Sequence, residues 1–132
     1  MINFLKNNKN ILARIALFVV FVWFGLLKIL DLSPAETVVK NLFYSVHLDS
    51  LINFKTFFYY LGWFEILIGF GILINKFRKF VFWLFFIHMM TTFGPAIFDA
   101  KHFWNGFGVL TLEGQYIVKN LVLIMLGVYI LL

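Results

Sequence analysis

Four long apolar stretches are separated along this chain by shorter polar ones. They cover 15–30, 56–74, 80–98 and 114–132, and each is close to the roughly 20 apolar residues that a helix needs to cross a bilayer. No stretch alternates apolar and polar residues as a strand does. The pattern therefore predicts an all-α fold in which residues 1–132 form a single four-helix transmembrane domain.

The loop after the first span contains a further helical pattern. Ser33 and Glu36 have the spacing of a capping box, with Pro34 at the first helical position. Apolar residues then recur at helical spacing up to Val46, with polar residues on the other side. We expect a short amphipathic helix over 34–46, lying on the membrane surface or against the end of the bundle.

The charged residues indicate how the bundle is oriented. One set of loops carries basic residues and no acidic ones, whereas the opposite set mixes both signs, which is the positive-inside pattern. The purely basic set is Lys6, Lys9, Arg14, Lys76, Arg78 and Lys79. This predicts cytoplasmic termini in the plasma or inner membrane and attributes the net charge of +5 to the bilayer rather than to nucleic acid.

The composition excludes whole classes of protein. The 132 residues are 63% hydrophobic and 13% charged, and so short a chain cannot bury that much apolar surface within itself. Without cysteine there is no disulfide, thiolate zinc site or thiol redox pair. No haem, zinc or flavin motif is present, and we expect no metal site.

Four ionisable residues lie within the predicted spans, one in each: Lys28, Glu65, His88 and Lys119. Such residues are costly in lipid and usually face the bundle interior. Helical spacing adds polar neighbours to the third and fourth spans, namely Thr91, Thr92, Gln115 and Asn120. Together these eight residues are the candidates for ligand binding or proton handling, and we expect a polar funnel that opens outward.

Two interpretations of this polar set remain open. In one, Glu65 pairs with Lys119 to fix the helix register, while Lys28 extends towards the outer interface. In the other, Glu65, His88 and Lys119 bind a ligand with an acidic or carbonyl group, or handle protons.

The chain resembles the DoxX-like superfamily of small bacterial inner-membrane proteins, in the branch related to the reactive-chlorine-resistance protein. The residues that carry the resemblance are WFGLLK, GWFEILIGFGIL, TTFGPAIFD and LTLEGQYIVKNLVLI. It implies a role in redox or oxidative-stress defence, linked to quinol oxidation, with Lys28, Glu65, His88 and Lys119 as the intramembrane polar set. We expect the ligand of the polar funnel to be a quinone or a lipid.

We expect the chain not to be an enzyme on its own. Any redox activity would be that of an accessory subunit of a quinone-linked oxidoreductase. The alternatives are a non-catalytic subunit that scaffolds a larger membrane complex and a small homo-oligomeric transporter or channel.

Overall fold

A computed structural model describes every residue from Met1 to Leu132, and the chain is mostly helical. Four helical segments are long and apolar enough to cross a membrane, as in a multi-pass membrane protein. In chain order the elements are α1 (Ile2–Ile29), α2 (Glu36–Ser45), α3 (Phe54–Leu73), α4 (Arg78–Thr91), α5 (Gly94–Phe98), α6 (Ala100–Phe103), β1 (Trp104–Gly106), β2 (Val109–Leu110) and α7 (Leu112–Leu131), with 3-10 turns at Leu48–Ser50 and Asn75–Phe77.

The long helices have two ends, which we name by what they carry. The loop face comprises residues 30–53 and 92–111, which include α2, α5, α6 and the antiparallel β1–β2 hairpin. The terminal face comprises both chain termini and the turn at Asn75–Phe77. Between 17% and 33% of the residues in each span are buried by protein, so most of each helix surface needs lipid around it.

Helices α1 and α3 are in backbone contact through glycines. A methyl group added to Gly62 would lie 2.7 Å from the carbonyl oxygen of Gly25, and one added to Gly25 would collide with the carbonyl of Gly62. Further along, a methyl on Gly69 would lie 2.8 Å from the side chain of Val22. Small residues let membrane helices approach this closely, because lipid offers no hydrophobic force to press them together.

A single apolar cluster joins the four long helices. Leu17 of α1, Ile68 of α3 and Phe85 of α4 are fully buried in it. Gly127 of α7 faces the ring of Phe85 so closely that a methyl group there would overlap the ring. The ring of Phe85 therefore occupies the space that a side chain on α7 would need.

Arg14 connects three helices at the terminal face. Its guanidinium donates hydrogen bonds to the carbonyl oxygens of Ile72 (2.6 Å) and Ile130 (2.8 Å), near the last residues of α3 and α7. These carbonyls have no partner within their own helices, and the C-terminal end of a helix carries partial negative charge. Arg14 thus caps two helices from a third and is partly buried.

The structure modifies the predicted start of the helix in the first loop. The Ser33 hydroxyl accepts from the Ala35 amide at 3.3 Å, and the first helical residue of α2 is Glu36. The sequence predicted Pro34 at the first helical position, but it lies in the turn before the helix. On its inner side, α2 packs through the buried Phe43 onto Phe54 at the start of α3.

The segment 80–98, predicted as one span, lies within a single candidate span, Asn75–Phe98, but its helix is interrupted. Helix α4 ends at Thr91, and α5 begins at Gly94 with proline in its first turn. The hydroxyls of Thr91 and Thr92 donate to the carbonyls of His88 and Met89, each at 2.6 Å. Such back-bonding and the missing amide hydrogen of Pro95 both favour a helix end at this point.

Candidate functional site

Three ionisable side chains from three spans meet inside the bundle. The ammonium nitrogen of Lys28 lies 2.7 Å from Oε2 of Glu65, and Nε2 of His88 lies 3.2 Å from Oε1 of the same carboxylate. The residues are 5%, 7% and 8% exposed, in that order. We call this group the buried triad. It unites three of the residues that the sequence singled out, with Glu65 at its centre.

Lys28 reaches Glu65 because of the direction that side chains take on a helix. It is the penultimate residue of α1, which ends at the loop face. The Cα–Cβ bonds of a helix tilt towards its N-terminus, so the Lys28 side chain runs back into the bundle. The expectation that Lys28 extends towards the outer interface was therefore wrong. The glycine contact one turn from Lys28, at Gly25 and Gly62, brings α3 close enough to complete the ion pair.

Aromatic rings surround the triad. The rings of Phe21 and Phe64 stand edge-on to the His88 imidazole, with centroids 5.8 and 5.7 Å away. The ring of Phe58 lies 6.0 Å from the Lys28 ammonium nitrogen. These apolar neighbours lower the local dielectric, which strengthens every charge interaction within the triad and makes any unbalanced charge costly.

The net charge of the triad depends on the protonation of His88. Lysine and glutamate neutralise one another, so the group is neutral when His88 is neutral and carries one positive charge when His88 is protonated. Each oxygen of the Glu65 carboxylate faces a different partner. The arrangement can therefore hold a proton on the imidazole against a carboxylate, or present donors to an oxygen atom of a ligand.

Lys119 and Gln115 lie outside the triad. Both are exposed, and the Lys119 ammonium nitrogen lies 5.0 Å from the centroid of the Tyr116 ring. The glycines and isoleucines of α7, including Ile117, face inward. Lys119 follows Ile117 by two residues, which is a rotation of about 200° around the helix axis, so it faces outward. The Glu65–Lys119 ion pair of the first interpretation is therefore absent, and the predicted funnel lined by four ionisable residues was wrong.

The remaining predicted polar residues form a smaller, separate contact. The Asn120 amide donates to the Thr92 hydroxyl at 3.0 Å and so connects α7 to the end of α4. Thr91 is exposed, and its hydroxyl bonds within its own helix. No hydrogen bond joins these residues to Lys28 or Glu65.

A second histidine–carboxylate pair on the loop face was not predicted. Asp99 is 4% exposed, and its Oδ1 lies 2.6 Å from Nδ1 of the half-exposed His102. Two residues at i and i+3 in a helical turn share a face, so this spacing was the available signal. Arg14 was likewise interpreted only as a marker of orientation, although a guanidinium with five donors is suited to bridging carbonyls of two helices.

Four apolar spans with ionisable groups between them fit a multi-pass membrane protein. Comparison with family models finds none that matches the chain, and comparisons with curated proteins and solved structures find no match either. No three histidine, aspartate or glutamate side chains come close enough together to hold a metal ion.

Proposed function

We propose that the buried triad binds the polar head of a small amphiphile, such as a quinone or a lipid, through hydrogen bonds. The observation that supports this is the meeting of Lys28, Glu65 and His88 between three spans. Charged side chains inside a membrane are rare because inserting one at the centre of a helix costs about 2.5–3.5 kcal/mol on insertion scales. Ionisable groups found there commonly mark ligand sites and proton relays.

The geometry suggests a role for each member of the triad. The Lys28 ammonium has three donors and uses one of them on Glu65, so it can donate to a carbonyl oxygen of the ligand. A neutral imidazole has one donor and one acceptor nitrogen, so His88 can contact Glu65 with one and a ligand with the other. Glu65 holds both partners in place and balances their charge.

The biological setting belongs to the same proposal. The resemblance to the DoxX-like superfamily favours a bacterial inner-membrane protein that supports redox or oxidative-stress defence. The terminal face carries Lys76, Arg78 and Lys79 in a single turn, which favours its placement in the cytoplasm. The loop face, with α2 and the hairpin, would then lie on the opposite side of the membrane.

The proposal is tested by measuring what the purified protein retains. Wild type, Glu65→Gln and Lys119→Met are purified in mild detergent, and bound quinones and lipids are extracted and quantified by mass spectrometry. Lys119→Met serves as the control because it removes a membrane-embedded cation that lies outside the triad. We expect Glu65→Gln to retain about tenfold less of a specific amphiphile than wild type, as for the loss of one charge-assisted hydrogen bond. Equal retention by all three folded proteins would refute the proposal.

A second candidate function is that of a non-catalytic subunit of a larger membrane complex. It is favoured by the completeness of the polar contacts, because no buried side-chain nitrogen or oxygen lacks a hydrogen-bond partner. In that case the triad only sets the register of α1, α3 and α4. Joint replacement of Lys28 and Glu65 would then leave association with partner proteins and resistance to oxidants unchanged, whereas a binding site would be destroyed.

A further inference from the structure

A groove opens on the surface at the loop face, between the end of α1 and the first turns of α3. Its volume is about 310 Å³. The residues that line it are Ile29, Asp31, Lys55, Thr56, Tyr59 and Tyr60. One carboxylate, one ammonium and three hydroxyl groups therefore converge on a single concave surface at the membrane boundary.

The two charges in this groove are unpaired. Neither Asp31 nor Lys55 has an oppositely charged side chain within ion-pairing distance, and neither side-chain charge takes part in a hydrogen bond within the chain. Asp31 has a left-handed backbone conformation, with φ of 55°, which turns the chain sharply out of α1. Aspartate tolerates this conformation better than most residues, and Asp31 is one of the residues that line the groove.

We propose that this groove binds the zwitterionic headgroup of a phospholipid that carries a primary ammonium, as phosphoethanolamine does. Such a headgroup has a phosphate and an ammonium joined by an ethylene link, so it offers an opposite charge to each of the two unpaired side chains. Lys55 would bind the phosphate, and Asp31 would accept hydrogen bonds from the ammonium. An anionic headgroup would leave the Asp31 carboxylate facing like charge, which disfavours it.

The setting of the groove favours a lipid as the source of this headgroup. Tyr59 and Tyr60 are exposed on the side of α3, where tyrosine is enriched at the depth of lipid headgroups. Ile29 supplies an apolar wall next to the acyl chains. The groove shares no side chain with the buried triad, so this inference does not depend on the proposed function.

The test exchanges the purified protein into micelles that contain equal amounts of phosphatidylethanolamine, phosphatidylcholine and phosphatidylglycerol and counts bound lipids by native mass spectrometry. Asp31→Asn and Lys55→Gln are the test variants. Asp49→Asn and Lys101→Gln are the controls, since they make the same charge changes at other exposed positions of the loop face. A soluble arm adds O-phosphoethanolamine and follows the melting temperature.

We expect wild type and both controls to retain phosphatidylethanolamine about tenfold over phosphatidylglycerol, as for one charge-assisted contact. Asp31→Asn should lose this preference, and Lys55→Gln should weaken retention of all three lipids. Unchanged preference in both test variants, or an equal loss in the controls, would overturn the proposal. A larger melting shift from O-phosphoethanolamine than from the lipid would show a soluble phosphoester as the ligand and overturn the lipid assignment.

Discussion

Removing Lys28 and Glu65 together should disturb the protein less than removing either one alone. At the observed 2.7 Å separation and an effective dielectric of about 20, their mutual attraction is about 6 kcal/mol. Burying the two charges costs several kcal/mol each, so the net contribution of the pair is small. A single replacement nevertheless leaves the other charge buried without its partner, which destabilises a protein by about 3–5 kcal/mol.

The variants for this experiment are Lys28→Met, Glu65→Gln and the double variant. Methionine keeps the length and apolar stem of lysine, and glutamine keeps a group that can hydrogen-bond to His88. We expect each single variant to lose about 3–5 kcal/mol and the double variant about 1–2 kcal/mol, so the coupling is strongly favourable. The loss in each single variant lies closer to about 3 kcal/mol if these side chains find other polar partners in the unfolded chain in the micelle.

Unfolding is measured by titrating sodium dodecyl sulfate into the protein in mild detergent while circular dichroism follows the helix content. Lys119→Met controls for the loss of one membrane-embedded cation and should change the free energy of unfolding by less than about 1 kcal/mol, because Lys119 is exposed. A double variant whose loss equals the sum of the two single losses would show that the two charges act independently. That result would refute the assignment of the ion pair.

Three further replacements test other contacts. Gly62→Ala places a methyl group 2.7 Å from the Gly25 carbonyl oxygen and should lower the free energy of unfolding by about 1–3 kcal/mol. Arg14→Gln leaves two carbonyls without their donor and should destabilise the bundle by about 2–4 kcal/mol in the same titration. His102→Gln removes the partner of the buried Asp99 carboxylate and should lower the melting temperature, as expected for a loss of about 1–3 kcal/mol in the free energy of unfolding. The Gly62→Ala prediction is contradicted if the variant is as stable as wild type. The other two are contradicted if the variants are as stable as their controls, Lys9→Gln and His47→Gln.

The long helices could be predicted because length and apolar character are local properties of the sequence. The spans 56–74 and 114–132 differ from α3 and α7 by two residues or fewer at each end. Helix α1 extends further back than the predicted span, because no glycine or proline precedes Arg14 to interrupt it. The end of α4 at Thr91 depends on hydroxyl contacts that hydropathy does not register.

The candidate site was predicted only in part, for a geometric reason. Helical spacing shows which residues share a face of one helix, but it does not show which face meets the neighbouring helices. For His88 and Glu65 the polar face coincides with the buried one, whereas for Lys119 it does not, because Ile117 and the glycines of α7 take the inner position. Glu65 itself was therefore recognised, but the interpretation that paired it with Lys119 missed Lys28 as its partner.

Arg14 and Lys28, two cations of α1 that point into the bundle, explain why such apolar helices pack in a single register. Lipid tails are as apolar as the helices, so burial alone does not specify which residues of two spans lie opposite each other. Arg14 bonds to the ends of α3 and α7, and Lys28 pairs with Glu65 on α3. These contacts are about 21 Å apart along α1 and have partners at fixed positions, so sliding α3 by one turn would break both. The Gly25–Gly62 contact determines how close the helices come, and the two cations determine their register.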